Sequence, residues 1–257
     1  MIEILQWSTL AFCGLVAAAR IPSALRGENR TLFWIFALMT LAILLSIEAP
    51  YVAIDRALGG FNLANLILRF VIFAAILCVG MRVTRGFGAT GGYRLLTGRA
   101  GMAVLALVSF AVVAGFFMID SDGSSAGLAH ISAKGGLDAV LVEYYGAAGR
   151  AYPAYVSLVL LPAMVRAVRS SLPRPIRSAA FLLAIGAVAI TLTLFFPVVP
   201  PSWGPAEFVI NYAAILCFVV GLALIWAAKV HSRTQRSAGK RSYLKSSGEK
   251  IHKIIRI

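Results

Sequence analysis

The sequence is poor in charge, and poorer still in acid. Only 13% of its 257 residues are charged, with 10 Asp and Glu against 24 Lys and Arg. A soluble domain usually has about a quarter of its residues charged, so an ordinary soluble enzyme or nucleic-acid-binding domain is excluded. Histidine is scarce: His130, His231 and His252 all lie outside the apolar runs. No imidazole within those runs can therefore ligate haem or serve a serine nucleophile. The three cysteines, Cys13, Cys78 and Cys217, are embedded in apolar sequence. They read as small packing residues, not as disulfide partners or zinc ligands. No lysine stands in the middle of an apolar run to form a Schiff base, since Lys229 lies at the end of one. Paired carboxylates with a nearby histidine are missing, as is a phosphate-cradling glycine loop. The run Arg85-Gly86-Phe87-Gly88-Ala89-Thr90-Gly91-Gly92 is glycine-rich but basic and loop-like. The expectation is a non-enzyme with no cofactor and no metal.

What the chain does have is apolar sequence, 60% of it. Crossing the hydrocarbon of a bilayer takes about 20 mostly apolar residues, each backbone group bonded within its own helix. Seven segments meet this, approximately 4–19, 32–54, 61–81, 101–119, 139–165, 178–199 and 206–228. Gly86-Phe87-Gly88, Gly91-Gly92, Asp122-Gly123-Ser124-Ser125, Pro173-Arg174-Pro175 and Pro200-Pro201 punctuate them. Such continuous runs exclude a transmembrane barrel, whose strands alternate over about ten positions. Met1-Ile2-Glu3 provides no positive n-region, so the first run, the shortest, reads as a span and not as a cleaved signal.

Basic residues set the orientation. The first, third and fifth connections together with the tail from Lys229 hold 20 of the 24 Lys and Arg, whereas the opposite connections hold only Arg56 and Lys134. Positive loops remain cytoplasmic, which puts the amino terminus outside and the carboxyl terminus inside. The expected fold is all-α, a polytopic membrane protein built as a bundle of seven transmembrane helices. A transmembrane domain over residues 1–230 is followed by a basic cytoplasmic tail, 231–257. The net charge of +14 is thus mainly a topology signal and not a nucleic-acid footprint. In the tail, Ile251, Ile254 and Ile255 fall at helical spacing opposite basic residues. That suits either an interfacial helix on anionic lipid or a solvated tail that only fixes orientation.

Charges inside spans cost about 2.5–3.5 kcal/mol each on insertion scales and are commonly paired or functional. Four occur here: Glu48, Arg69, Glu143 and Arg150. At the helical rise, Glu48 lies about 9 Å and Arg69 about 12 Å from the outer ends of the second and third spans. These neighbours are expected to bring the two side chains together. In the fifth span Glu143 and Arg150 share a face, with Tyr145, Tyr152 and Tyr155 on a roughly opposite stripe. Pro153 removes an amide donor and frees the Gly149 carbonyl, which predicts a bend there. Pro50 acts likewise beside Glu48, and Asn211 enters the seventh span at a comparable level. The cluster Glu48, Arg69, Glu143, Tyr145, Arg150, Tyr152 and Asn211 reads either as the lining of a ligand cavity or as a closed polar clasp between helices.

The stretches Arg20-Ile21-Pro22-Ser23-Ala24-Leu25-Arg26-Gly27, Ala53-Ile54-Asp55-Arg56 and Asn62-Leu63-Ala64-Asn65-Leu66 resemble a family of actinobacterial multi-spanning membrane proteins. The fifth span, Glu143 to Arg169, is similar in style. Members are labelled transporters or integral membrane regulatory proteins, and relatives continue into a longer cytoplasmic segment than the tail found here. The resemblance implies the fold, and function only through those labels. The residues are compatible with a transporter or permease component for a small solute in a bacterial cell membrane. The alternatives are a receptor-like sensor acting through a cytoplasmic partner and a non-catalytic assembly subunit. Seven spans with no internal repeat do not divide into two inverted halves, which counts against a complete secondary transporter. The implied partners are membrane lipid, a protein in the membrane and a small-molecule ligand. Nucleic acid is not among them.

Overall fold

A computed structural model gives the structure of the chain and describes residues 2–27, 30–119, 136–198, 206 and 209–228. Among these residues all regular structure is helical. We number the helices α1 (Ile2–Leu25), α2 (Arg30–Ser46), α3 (Glu48–Ala57), α4 (Leu63–Gly86), α5 (Thr90–Thr97), α6 (Arg99–Met118), α7 (Gly136–Arg169), α8 (Arg174–Leu192) and α9 (Val209–Ala228). A 3-10 turn, Thr193–Val198, follows α8. Helices α1, α4, α6, α7, α8 with its 3-10 extension, and α9 are long and apolar enough to cross a bilayer. The pair α2 and α3 makes a seventh span only if it is counted as one broken element. The basic tail lies outside the described residues.

Three elements depart from the sequence reading, each for a physical reason. The expected second span, 32–54, is not straight: α2 and α3 meet at 93°. The ring of Pro50 clashes with the carbonyl four residues earlier, that of Ser46. Accordingly α2 ends at Ser46, Ile47 turns extended (φ −93°, ψ 128°) and α3 begins at Glu48. Glu48 therefore stands in the first turn of α3, where a carboxylate meets the positive end of the helix, and not six residues inside a straight span. The first helix is not short either. It continues through Arg20 and Pro22 to Leu25, because Arg20, assigned from sequence to a connection, is buried with its guanidinium 4.3 Å from the Trp226 ring centroid. Finally, Gly91 and Gly92 are not loop residues but belong to α5. A side chain at Gly92 would press on Thr84 and Val159, so glycine here permits close packing of α5 on α4 and α7. Pro153 and Pro162 lie inside α7 without ending it.

Packing arranges six helices in a ring. Neighbour contacts run α1–α2–α4–α7–α8, and α9 closes the circuit. It fits against α8 at two glycines: a Cβ on Gly186 would meet Phe218 at 3.0 Å, and one on Gly221 would meet Leu183 at 2.8 Å. It reaches α2 through a 3.0 Å hydrogen bond between the Ser46 and Tyr212 hydroxyls, and α1 through Trp226. Helix α6 packs outside the ring, on α7, and α5 links it to α4. Arg69 beside Gly149 and Gly80 beside Val156 show that α4 and α7 run parallel. The half of the ring away from the start of α1 is filled by buried Ile35, Phe36, Leu96, Leu160 and Met164. The half beside the start of α1 is left open.

Replacing Gly221 by Val should overpack the α8–α9 contact and destabilise the protein by about 1–3 kcal/mol. Thermal unfolding of the purified variant in detergent should show the loss, while Gly91→Ala, at an exposed position of α5 with open space around it, serves as the comparison for a glycine whose substitution meets no neighbour.

Candidate functional site

The open half of the ring encloses a cavity of about 1090 Å³ lined by α1, α2, the first residue of α3, α4, α7, α9 and the end of α8 with its 3-10 turn. Six of the seven sequence-selected residues line it: Glu48, Arg69, Glu143, Tyr145, Arg150 and Asn211. Tyr152 does not. It is fully buried against Phe73, with ring centroids 5.3 Å apart. Tyr155 turns further away and donates to the Leu95 carbonyl at 2.8 Å.

Helix geometry explains which tyrosine is admitted. At about 100° per residue, the α7 residues lining the cavity occupy an arc of about 160°. Val142, Gly146 and Pro153 lie near its centre, with Tyr145 at one edge and Glu143 at the other. The sequence reading set Glu143 and Tyr145 on opposing stripes. The cavity is wide enough to take both flanks, and Tyr152 falls just beyond the Tyr145 edge. Glycine and proline at the middle of the arc leave the space that larger side chains would fill.

Arg69 is positioned by α7. The sequence reading sent it toward Glu48, and both do line the cavity, but the contacts that hold its guanidinium are elsewhere. Its guanidinium carbon lies 5.2 Å from the Tyr145 ring centroid, within cation–π range. It also rests on Gly149, where an added Cβ would come within 2.7 Å of Arg69 Nη1. Arg69 Nε is buried and has no hydrogen-bond partner among the described residues.

Behind Arg69 stands a polar corner built on Asp55, which falls in the short connection between two apolar runs and so does not stand out as an intramembrane charge. Asp55 is completely buried. Its carboxylate accepts from the backbone N–H groups of Asn62 and Ala64, each at 3.0 Å, and so caps the amino terminus of α4, where orphan amides and the helix dipole both favour a negative charge. Asn62 adopts a left-handed conformation (φ 56°) to make this turn, one that asparagine tolerates better than most residues. The Tyr51 hydroxyl donates to Asn62 Oδ1 at 3.0 Å, and the Tyr145 hydroxyl to Asn65 Oδ1 at 3.2 Å. The signal available in sequence was an acid just before Gly59-Gly60, followed by an asparagine opening an apolar run. That is a capping pattern spread across a turn. Gln6 of α1, Ser46, Thr193 and Tyr212 add to the polar lining.

No family model, curated protein or solved structure matches this chain.

Removing the cap has a definite consequence. Asp55→Ala orphans two amides previously bonded to a charged group, and hydrogen bonds of that kind contribute about 1.5–3 kcal/mol each. The variant should unfold at a clearly lower temperature in detergent than wild type, with Asp55→Asn intermediate because its carbonyl oxygen can still accept one bond. Equal thermal stability of all three proteins would contradict this role.

Proposed function

We propose that the protein is a transporter or permease component that passes a small solute through the central cavity of a bacterial cell membrane. The observation that carries this reading is the cavity itself, with two acids and two arginines gathered on its wall. Charged groups at membrane depth cost about 2.5–3.5 kcal/mol each unless they face a polar interior, and a cavity between helices is where membrane proteins place ligand contacts. A closed clasp of the same residues would leave no space of this size. The distribution of basic residues supports an amino terminus outside and a carboxyl terminus in the cytoplasm, with the cavity toward the outer face. The resemblance to actinobacterial membrane proteins labelled as transporters points the same way.

Proteoliposomes offered labelled amino acids, organic acids and fatty acids one at a time should take up at least one above the level of empty vesicles. That uptake should fall by about tenfold in Arg150→Gln, which removes a charge-assisted contact on the cavity wall. Uptake of every solute at the empty-vesicle level, or uptake indifferent to Arg150→Gln and Glu143→Gln alike, would refute transport through this cavity. On intact cells, an impermeant amine label should reach a tag at the amino terminus and not one at the carboxyl terminus.

A further inference from the structure

The cavity is divided by chemistry into two levels. Its rim carries the charged and hydrogen-bonding groups: Glu48, Arg69, Glu143 and Arg150, with Asn211 and Tyr212 beside them. Below Arg69 the described wall changes to Met39, Ile43, Ile72, Ile76, Ile215 and Phe218, side chains that carry no N–H or O–H group. This lower chamber extends from Arg69 to Val79, about 15 Å at the helical rise.

The rim is not balanced. Glu48 and Arg150 are both engaged in interactions, and exposed Glu143 lies at the mouth. Arg69 is different: among the described residues it forms no ion pair, and it is held by Tyr145, through the ring face and a side-chain hydrogen bond, and by the backbone of Gly149. Among the described residues its Nε, like that of Arg150, is buried without a hydrogen-bond partner. A guanidinium held in a fixed pose without a counter-charge is suited to an incoming carboxylate or phosphate, whose oxygens match its planar donors.

We infer that the occupant of the cavity is an amphiphile, with a carboxylate or phosphate head held at Arg69 and an apolar chain lying in the chamber toward Val79. This rests on the reading above that the cavity takes a ligand. Two magnitudes separate the amphiphile from a free anion. The cavity, about 1090 Å³, lies just above the roughly 300–1,000 Å³ typical of small-molecule sites, far more than an isolated carboxylate or phosphate needs. A wholly polar solute of that size would leave its lower groups without partners in the apolar chamber, whereas a hydrocarbon chain gains by leaving water.

The test is binding of tritiated oleate to the full chain in phosphatidylcholine nanodiscs, with empty nanodiscs subtracted. Unlabelled oleate and lysophosphatidate should displace the label, which tests carboxylate and phosphate heads on the same chain. Acetate and inorganic phosphate, heads without a chain, should fail to displace it, and monoolein, a chain without charge, should compete at least about tenfold more weakly. Arg69→Gln should weaken oleate binding by about tenfold or more, with Arg69→Lys retaining most of it. Ala75→Phe, which fills the chamber and leaves Arg69 in place, should weaken it as well.

Displacement by acetate or phosphate as effective as by oleate would overturn the amphiphile in favour of a free anion. Equal competition by monoolein would overturn the anionic head. Should Arg69→Gln not fold, Ala75→Phe and Arg69→Lys decide: unchanged oleate affinity in Ala75→Phe that elutes as a monodisperse species overturns the inference. Failure of oleate to bind while another solute shows Arg150-dependent flux also overturns it and leaves transport standing. Saturable, Arg69-dependent oleate binding with no flux of any solute supports the inference and removes only transport.

Discussion

The buried carboxylate of Asp55 is the contact through which the upper half of the bundle is assembled. By accepting the first free amides of α4 it determines where that helix starts, and the start of α4 sets the height and rotation of Arg69 six residues later. Asp55, Asn62 and Ala64 are all completely buried, so without the carboxylate these amides would have no water to turn to. The cap is thus required rather than ornamental. Asn62 and Tyr51 lock the same corner from the α3 side, and Asn65 carries it to Tyr145 on α7.

That corner exists because α2 is forced to end. A straight second span would have carried its chain past the cavity mouth. Pro50 stops it at Ser46, and the 93° turn swings α3 across the end of the ring. Glu48 thereby reaches the cavity from a helix amino terminus, where its charge is favoured. One proline thus both terminates a span and supplies a rim carboxylate.

The cavity persists for the complementary reason. Gly146, Gly149 and Pro153 occupy the inner face of α7, so the side chains that would collapse the space are missing, and the arm of Arg69 lies across Gly149. Elsewhere the ring is drawn tight: glycines at 186 and 221 let α9 press on α8, and aliphatic and aromatic side chains pack the opposite half. A small-residue face can therefore bring helices together or hold them around a space, according to whether a large side chain from the partner fills it. Beside Gly221 it is filled by Leu183. Beside Gly146 stands only the guanidinium of Arg150, from the same helix, among the described residues.

Composition and run length alone decided the all-helical, membrane-spanning character, because a chain with so few charges cannot cover itself in water and backbone in lipid must bond within its own helix. They also singled out the intramembrane charges, whose insertion cost makes them conspicuous in any apolar run. Only the tertiary structure decided that Glu48 begins a separate helix, that Arg20 is buried on Trp226, and that Tyr145 faces the cavity while Tyr152 does not. It alone revealed the Asp55 cap. These matters turn on how helices are rotated and stacked against one another. Periodicity gives the relative angles of residues within one helix, but which of those angles faces a neighbour or an empty space depends on side chains arriving from distant parts of the chain.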